Sequence, residues 1–273
     1  MAFYLYCLRK KNPTPIKAVK TINKGEVYSV SHHGIEAVVS EVNLEEFGSE
    51  EIQKKAQEDV NWIKEKAQIH EHVIEQAMGL GGKILPVIPM KFGTIFKTKQ
   101  SLEKILEKNY LKFKKLLEDL KRKQEWGVKI YLAEKVFTKH LRTPRTVTRR
   151  VYPVRSSSEV KELKTLPKGM EFFVKKQMEE VIKKEKNRRL EKIVQQVFAN
   201  LQKLAVDSSQ GKNLDKAITG KEEAMVLNAS FLVKEEKVRE FQNQVKGLKV
   251  KYQRLGLIIQ ESGPWPPYNF VKI

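Results

Sequence analysis

The stretch AMVLNASFLV, residues 224–233, places Met225, Leu227, Ala229, Phe231 and Val233 on one side of an extended chain. Side chains of a strand alternate faces with a period of two, so this spacing predicts a strand with one buried face. Downstream, KEEKVREFQNQVKG (234–247) carries Val238, Phe241 and Val245, then Leu248, at helical spacing. A last strand is expected over about 250–261, around the apolar run LGLII (255–259). Upstream, GVKIYLAEK (127–135) sets Val128, Ile130 and Leu132 against Lys129, Tyr131 and Ala133, a second half-buried strand. Between these strands the chain reads as helix from about Glu171 to Val206, followed by a loop over 207–223. The distal half of that helix has a heptad-like seam of Leu190, Val194, Val197, Leu201 and Leu204, the proximal half only Val174, Met178 and Val181. The stripe lapses in KKEKNRR (183–189), which predicts an exposed or cracked helix there. The order is therefore strand, long helical insertion, strand, helix, strand: an α+β domain on a mainly antiparallel sheet.

The first half reads as another mixed unit, with Gly127 as a boundary. AFYLYCLRK (2–10) is a short strand, and EVYSVSHHGIEAVVSEV (26–42) a hairpin turning at His32-His33-Gly34. Ser49 is a plausible cap for one long helix reaching Met78, where Gly79, Gly81 and Gly82 stop it. Its stripe is Ile52, Ala56, Val60, Ile63, Ala67, His70, Ile74 and Ala77. KILPVIPMKFGTIF (83–96) is β-branched but broken by Pro86 and Pro89, so it is expected as an edge strand or two short pieces. Ser101 is expected to cap a further helix whose apolar face runs from Leu102 through Phe113 to Leu120.

The 273 residues carry 53 Lys+Arg against 33 Asp+Glu, a net charge of +20. Such an excess draws acidic partners without saying which: nucleic acid, anionic lipid or an acidic protein face. A hydrophobic share of 40% is too high for a disordered chain. The single cysteine, Cys7, excludes an intramolecular disulfide, fits a reducing compartment, and lies in an apolar strand where it reads as a small core residue. No secretion signal is seen, and no apolar run approaches the roughly 20 residues of a membrane span.

Catalytic motifs find no support. His70 and His72 in IHEHV lie two apart on a helix and point to different faces, so they do not share a metal; His70, on the apolar stripe, reads as a satisfied core histidine. His32 and His33 point apart if extended. GLGGK (79–83) follows a helix instead of opening one, and Lys83 precedes Ile84, not Ser or Thr, so a helix cap and turn wins over a phosphate loop. Glu45, Glu46, Glu50 and Glu51 surround a helix start, where the dipole favours them. No cofactor and no metal are expected. The segment KVFTKHLRTPRTVTRRVYPVRSSS (135–158) reads as loop or irregular strand and contains no acidic residue. Arg142, Arg145, Arg149, Arg150 and Arg155 could neutralise phosphates, with Tyr152 stacking on a base. Five neutralised phosphates would give a log–log salt slope of roughly −4.5 on duplex DNA. No nucleic-acid-binding motif accompanies them, and a solvated loop or a basic surface for an acidic protein ranks higher.

The tail ESGPWPPYNF (261–270) puts Pro264, Trp265, Pro266, Pro267, Tyr268 and Phe270 on a stiff backbone that suits neither a helix nor a central strand. Together with VKIYL (128–132) and MVLNASFLV (225–233), it resembles the gas vesicle protein F/L family. YLYCL near the start, GIEAVVSEV (34–42), HEHVIEQA (70–77), LPVIPMKFGTIF (85–96) and EWGVKIYL (125–132) follow the same pattern in order. Members often read LPVRFGT continuously, whereas Ile88-Pro89-Met90-Lys91 intervenes here, and many are acidic. The resemblance implies a cytoplasmic, non-enzymatic accessory or minor structural protein of gas vesicles, whose partners are the small hydrophobic shell protein and other vesicle proteins. It implies two α+β domains, residues 1–126 and 127–260. The second would be ferredoxin-like with a helical insertion over about 157–206, and the tail 261–273 would pack where the domains meet. The tail residues Pro264 to Tyr268 and Phe270 are then candidate interdomain clasp or docking elements, and the five arginines a candidate partner surface. A basic nucleic-acid-binding protein is the alternative, and a chaperone-like adaptor with no vesicle role a third reading.

Overall fold

The computed structural model describes residues 1–12, 16, 20–79, 84–141 and 168–272. Helices and two antiparallel sheets make up the chain, the α+β class its sequence predicts. Two compact units are present: Met1–Trp126 with Leu232–Glu236 and Gly263–Ile273, and Gly127–Phe231 with Lys237–Ser262.

In the first unit, β1 (Ala2–Lys10) is central in a five-stranded sheet ordered β2-β3-β1-β4. β2 (Tyr28–His32) and β3 (Ile35–Val42) form the expected hairpin. His33 and Gly34 both take positive φ, 45° and 86°, as a tight hairpin turn requires. His33 therefore leaves the extended region, and the His32 and His33 rings meet edge to face with centroids 4.4 Å apart instead of diverging. β4 (Val87–Pro89) and β5 (Ile95–Phe96) are the two short pieces expected around the prolines, and both pair antiparallel with β1.

Every residue of β1 from Tyr4 to Arg9 is buried, because both faces of the sheet are covered. On one face Leu5 and Leu8 join Ile35, Ala37, Val39 and Ile88 under α4 (Lys99–Lys108) and α5 (Tyr110–Asp119). On the other, Tyr4, Tyr6 and Cys7 join Val38, Val42 and Phe47 against α3 (Val60–Met78). Tyr6 and Cys7 are consecutive yet share a face because the β1–β3 register shifts between Leu5 and Cys7, and an extra residue in one strand resets the alternation. Cys7 is a core residue as expected, its thiol pushed up to about 12 by burial.

Three helix expectations need correction. A short α1 (Leu44–Phe47) precedes the long helix, which itself breaks into α2 (Ser49–Glu58) and α3. Asp59 causes the break: its side chain accepts from the Trp62 backbone N–H at 2.9 Å, a helix-start geometry incompatible with helix interior. In the first half of the apolar stripe Ile52 packs against the core, but Ala56 is exposed and Val60 is 70% exposed. The next helix begins two residues before Ser101. Thr98 is the cap and Ser101 answers it from the third position, a reciprocal capping box. That helix also stops at Asn109 before restarting as α5.

The second sheet has the order β7-β8-β6-β9. β6 (Lys123–Leu132) and β8 (Ala224–Lys234) are the two strands read from alternation. β7 (Asp207–Gln210) falls where a loop was expected; four polar residues carry no apolar signal, and only pairing with β8 makes them a strand. In the second unit, α6 (Glu134–Leu141) replaces the first residues of the expected basic loop, anchored by fully buried Phe137, and residues 142–158 lie outside the described ones. α7 (Lys168–Gln202) is unbroken through the polar KKEKNRR stretch. Lys183, Lys184, Asn187 and Arg188 are exposed there, Glu185, Lys186 and Arg189 half-buried, with an Arg188–Glu185 fork and a Lys186–Glu134 contact. Of its expected seam, Val197 and Leu201 are buried, Leu190, Val194 and Leu204 half-buried, and Ile193, not anticipated, is buried. After α8 (Lys216–Thr219) and β8, α9 (Val238–Gln253) runs past the expected stop at 247, because Leu248 and Tyr252 continue its buried face. β9 (Leu257–Trp265) therefore begins later than expected and extends through Pro264, which an edge strand tolerates. Gly256, at φ 79°, permits the turn into β9: a Cβ there would lie 2.9 Å from the Val136 Cβ and 3.0 Å from the Ala133 carbonyl oxygen.

Candidate functional site

The tail is the most specific sequence feature, and its surroundings in the first unit build outward from a buried polar thread. Its centre is His70 on α3, 3% exposed. Its Nε2 lies 3.1 Å from the Met90 carbonyl oxygen, which only accepts, so that nitrogen carries the proton. Nδ1 then accepts from the Tyr4 hydroxyl at 2.9 Å, and Tyr4 in turn accepts from the Gly93 backbone N–H at 3.1 Å. Tyr6 donates to Ser40 Oγ at 3.1 Å and accepts from the Ile22 N–H, while Ser40 donates to the Glu26 carbonyl. Tyr4, Tyr6 and Phe92 surround the imidazole at centroid distances of 5.6, 5.7 and 5.8 Å. Burial lowers His70 to about 4, partly countered by the bond to Met90. The satisfied core histidine read from the sequence is what the structure contains.

The next residue, Glu71, accepts the Tyr268 hydroxyl at 2.9 Å. Burial raises the Glu71 carboxyl above its ordinary range, Tyr268 pulls it back, and Glu75 and Glu125 raise it again. Tyr268 is itself raised, by burial first and then by the Glu71 charge. Next along the tail, the Asn269 backbone N–H and side-chain Nδ2 donate to Glu125 Oε2 and Oε1 at 3.2 and 2.6 Å. Glu125 is only 3% exposed, so a buried carboxylate of β6 is met by both donors of one tail residue.

The apolar side chains follow the same path. Pro266 and Pro267 are buried. Tyr268 packs with the Tyr4–Val73 cluster, whereas Phe270 and Val271 pack with the Leu5–Phe113 cluster on the other face of the sheet. Within three residues the tail passes from one face to the other, which an edge allows. That edge is β4: Pro264, Trp265 and Pro267 share with Pro86, Val87 and Leu120 a void of only about 10 Å³, the lower limit for one water. The tail thus lies beside Val87 of β4, the last strand in the sheet order. Trp265, at 38% exposure, is the tail's most exposed aromatic.

The expected tail residues are therefore brought together on the first unit. Arg142, Arg145, Arg149, Arg150 and Arg155 lie outside the described residues. Sequence reasoning missed Glu71, Glu125 and Asn269. Their signal was weak: two carboxylates set within otherwise apolar patterns, IHEHV and EWGVKIYL. Among the described residues no three His, Cys, Asp or Glu side chains stand close enough to hold a metal, and no helix is long and apolar enough to cross a membrane.

Two antiparallel sheets with flanking helices and a Pro/aromatic tail locked onto the first of them define an α+β protein whose most elaborate feature is a structural closure. The family model described as "Gas vesicle synthesis protein GvpL/GvpF" matches residues 2–272, and the chain belongs to that family. Among curated relatives, it is 22% identical to gas vesicle protein L of a Streptomyces species, over 91% of this chain and 85% of that one. It is also 22% identical to gas vesicle protein F1 of Halobacterium salinarum, over 99% and 92%. Among solved structures, GvpF from an Anabaena species superposes with a TM-score of 0.69 at 21% identity, covering 100% of this chain and 96% of that one. GvpF from Microcystis aeruginosa gives 0.64 at 19%, covering 100% and 99%.

Proposed function

We propose that this protein is a non-catalytic helper or minor structural component of gas vesicle formation, acting in the cytoplasm by binding the small hydrophobic shell protein and other vesicle proteins. The observation that carries the reading is the family match along the whole chain, 2–272, tail included. Two domains are part of this reading, the second being ferredoxin-like. Its support is the strand order: taken in chain order, β6, β7, β8 and β9 stand as 4-1-3-2 across the sheet, with helices after the first and third. A ferredoxin-like unit would have this strand order, with the one-turn α8 after β7 as an addition. The clasp role of the tail is likewise a proposal. Buried Pro266 and Pro267 and the Tyr268 and Asn269 hydrogen bonds fix the tail, while Trp265 keeps surface for a docking role.

The test is a pull-down with this chain as bait from lysate of a vesicle-forming cell, across a salt series, with bound protein identified by mass spectrometry and nucleic acid by absorbance. Retention of the shell protein or other vesicle proteins at high salt is the expected result, since burial of apolar surface resists screening. Nucleic acid alone, lost steeply as salt rises, overturns the reading in favour of phosphate binding through the five arginines.

A further inference from the structure

We propose that a basic-rimmed groove in the first unit binds a short, extended peptide segment of a partner protein in which carboxylates alternate with apolar side chains. The groove encloses about 520 Å³. It lies where β1 ends, beside the residues that lead into β4 and the turn that follows α5. Its apolar lining is Ile84, Leu85 and Pro86, three consecutive half-buried residues. Its cations are Lys10, Lys11, Lys121 and Arg122, all exposed.

Lys10 is hydrogen-bonded to Glu118, whereas the ion pairs of Lys121 and Arg122 are long. Lys10 and Lys121 share Glu118, while Arg122 stands 3.6 Å from Glu235 and 3.8 Å from Glu236. The Arg122 distances are too long for hydrogen bonds, and its side chain is 69% exposed. Exposed pairs of this kind are weakened by water and salt, so an incoming carboxylate can replace one partner. Among the described residues four cations face three carboxylates, a positive excess, and the net charge of +20 steers anionic segments toward the protein. Arg122 also sits at φ 56°, left-handed backbone where glycine or asparagine is the low-cost choice. An arginine there retains a guanidinium at the rim against the local conformational preference.

Size and chemistry narrow the occupant. The apolar floor is three consecutive residues, roughly 10 Å of chain, which matches a short extended segment. Among the described residues the lining contains no aromatic ring for a base to stack on, so a peptide is favoured over a single-stranded nucleic acid. This inference rests on the groove alone and stands or falls separately from the gas vesicle role.

The test uses the full chain and a fluorescein-labelled peptide of alternating leucine and glutamate, read by fluorescence polarisation at low and high salt. The paired variants are Lys11→Glu with Arg122→Glu, and the charge-retaining Lys11→Arg. The expected result is saturable binding, weakened at least about tenfold in the double charge reversal, kept in Lys11→Arg, and weakened by salt. Melting temperatures of the variants, both at exposed positions, should match the parent, which separates loss of binding from loss of fold. Absence of binding overturns the proposal. So does binding indifferent to the charge reversal, or an all-glutamate peptide or an oligothymidylate bound as tightly, since charge alone would then be the determinant.

Discussion

Lowering the pH tests the buried histidine directly. His70 is neutral in the folded protein because burial lowers it to about 4, against 6.5 in the unfolded chain. The unfolded state therefore binds one more proton between those values, and stability falls as pH drops through that window. Above pH 6.5 the contribution is intact, and below about 4 its loss is complete. Between pH 7.5 and 4.5 the loss from this one group is about 2.5 kcal/mol, with a slope of up to about 1.4 kcal/mol per pH unit. Urea unfolding at half-unit pH intervals measures it, with His70→Gln as the reference. The glutamine amide can still donate toward Met90 and accept from Tyr4 but does not titrate. Glu71, raised by burial, titrates with the opposite sign in both proteins and cancels in the difference. The parent should lose about 2.5 kcal/mol more than His70→Gln across this range. Parallel stability curves, or a folded-state His70 pKa near 6.5 by NMR, would refute the tautomer and burial argument.

Three further outcomes follow from the packing. Truncation after Ser262 removes Pro266, Pro267, Tyr268 and Phe270; it should lower stability by about 3–5 kcal/mol on the scale of two lost aromatic contacts, and an unchanged melting temperature would sink the closure role. Arg9→Met leaves Glu36, paired at 3.1 Å and buried, without its counter-charge. It should cost about 3–5 kcal/mol in denaturant unfolding, while Arg9→Met with Glu36→Met costs clearly less. Gly256→Ala meets both a left-handed backbone and the Val136 side chain, and should reduce stability by about 2 kcal/mol or more. A neutral result would mean that the α9–β9 turn relaxes freely.

Legibility in the sequence tracked how local the deciding interaction was. The alternation in 224–233 and 127–132, the hairpin at His33-Gly34 and the proline-broken segment before Phe96 each became the element expected, since each is set by side chains within a few residues. Asp59 was legible in principle, an acid three residues before a tryptophan, yet the apolar stripe running through it masked the break. β7 was not legible, because DSSQ is a strand only through its partner β8. The tail's aromatics announced a special role, but Glu71 and Glu125, nearly 200 and 150 residues away in sequence, gave no sign that they receive it.

The sequence by itself determined the α+β class, the family and the burial of His70 and Cys7, because periodicity, motif order and apolar context are properties of neighbouring residues. The tertiary structure alone decided which carboxylates hold the tail, which strand the tail lies beside and which cations converge on one groove. Those depend on contacts between residues far apart in the chain, whose meeting is fixed by how the strands pair and how the helices cover them, and no local pattern encodes that.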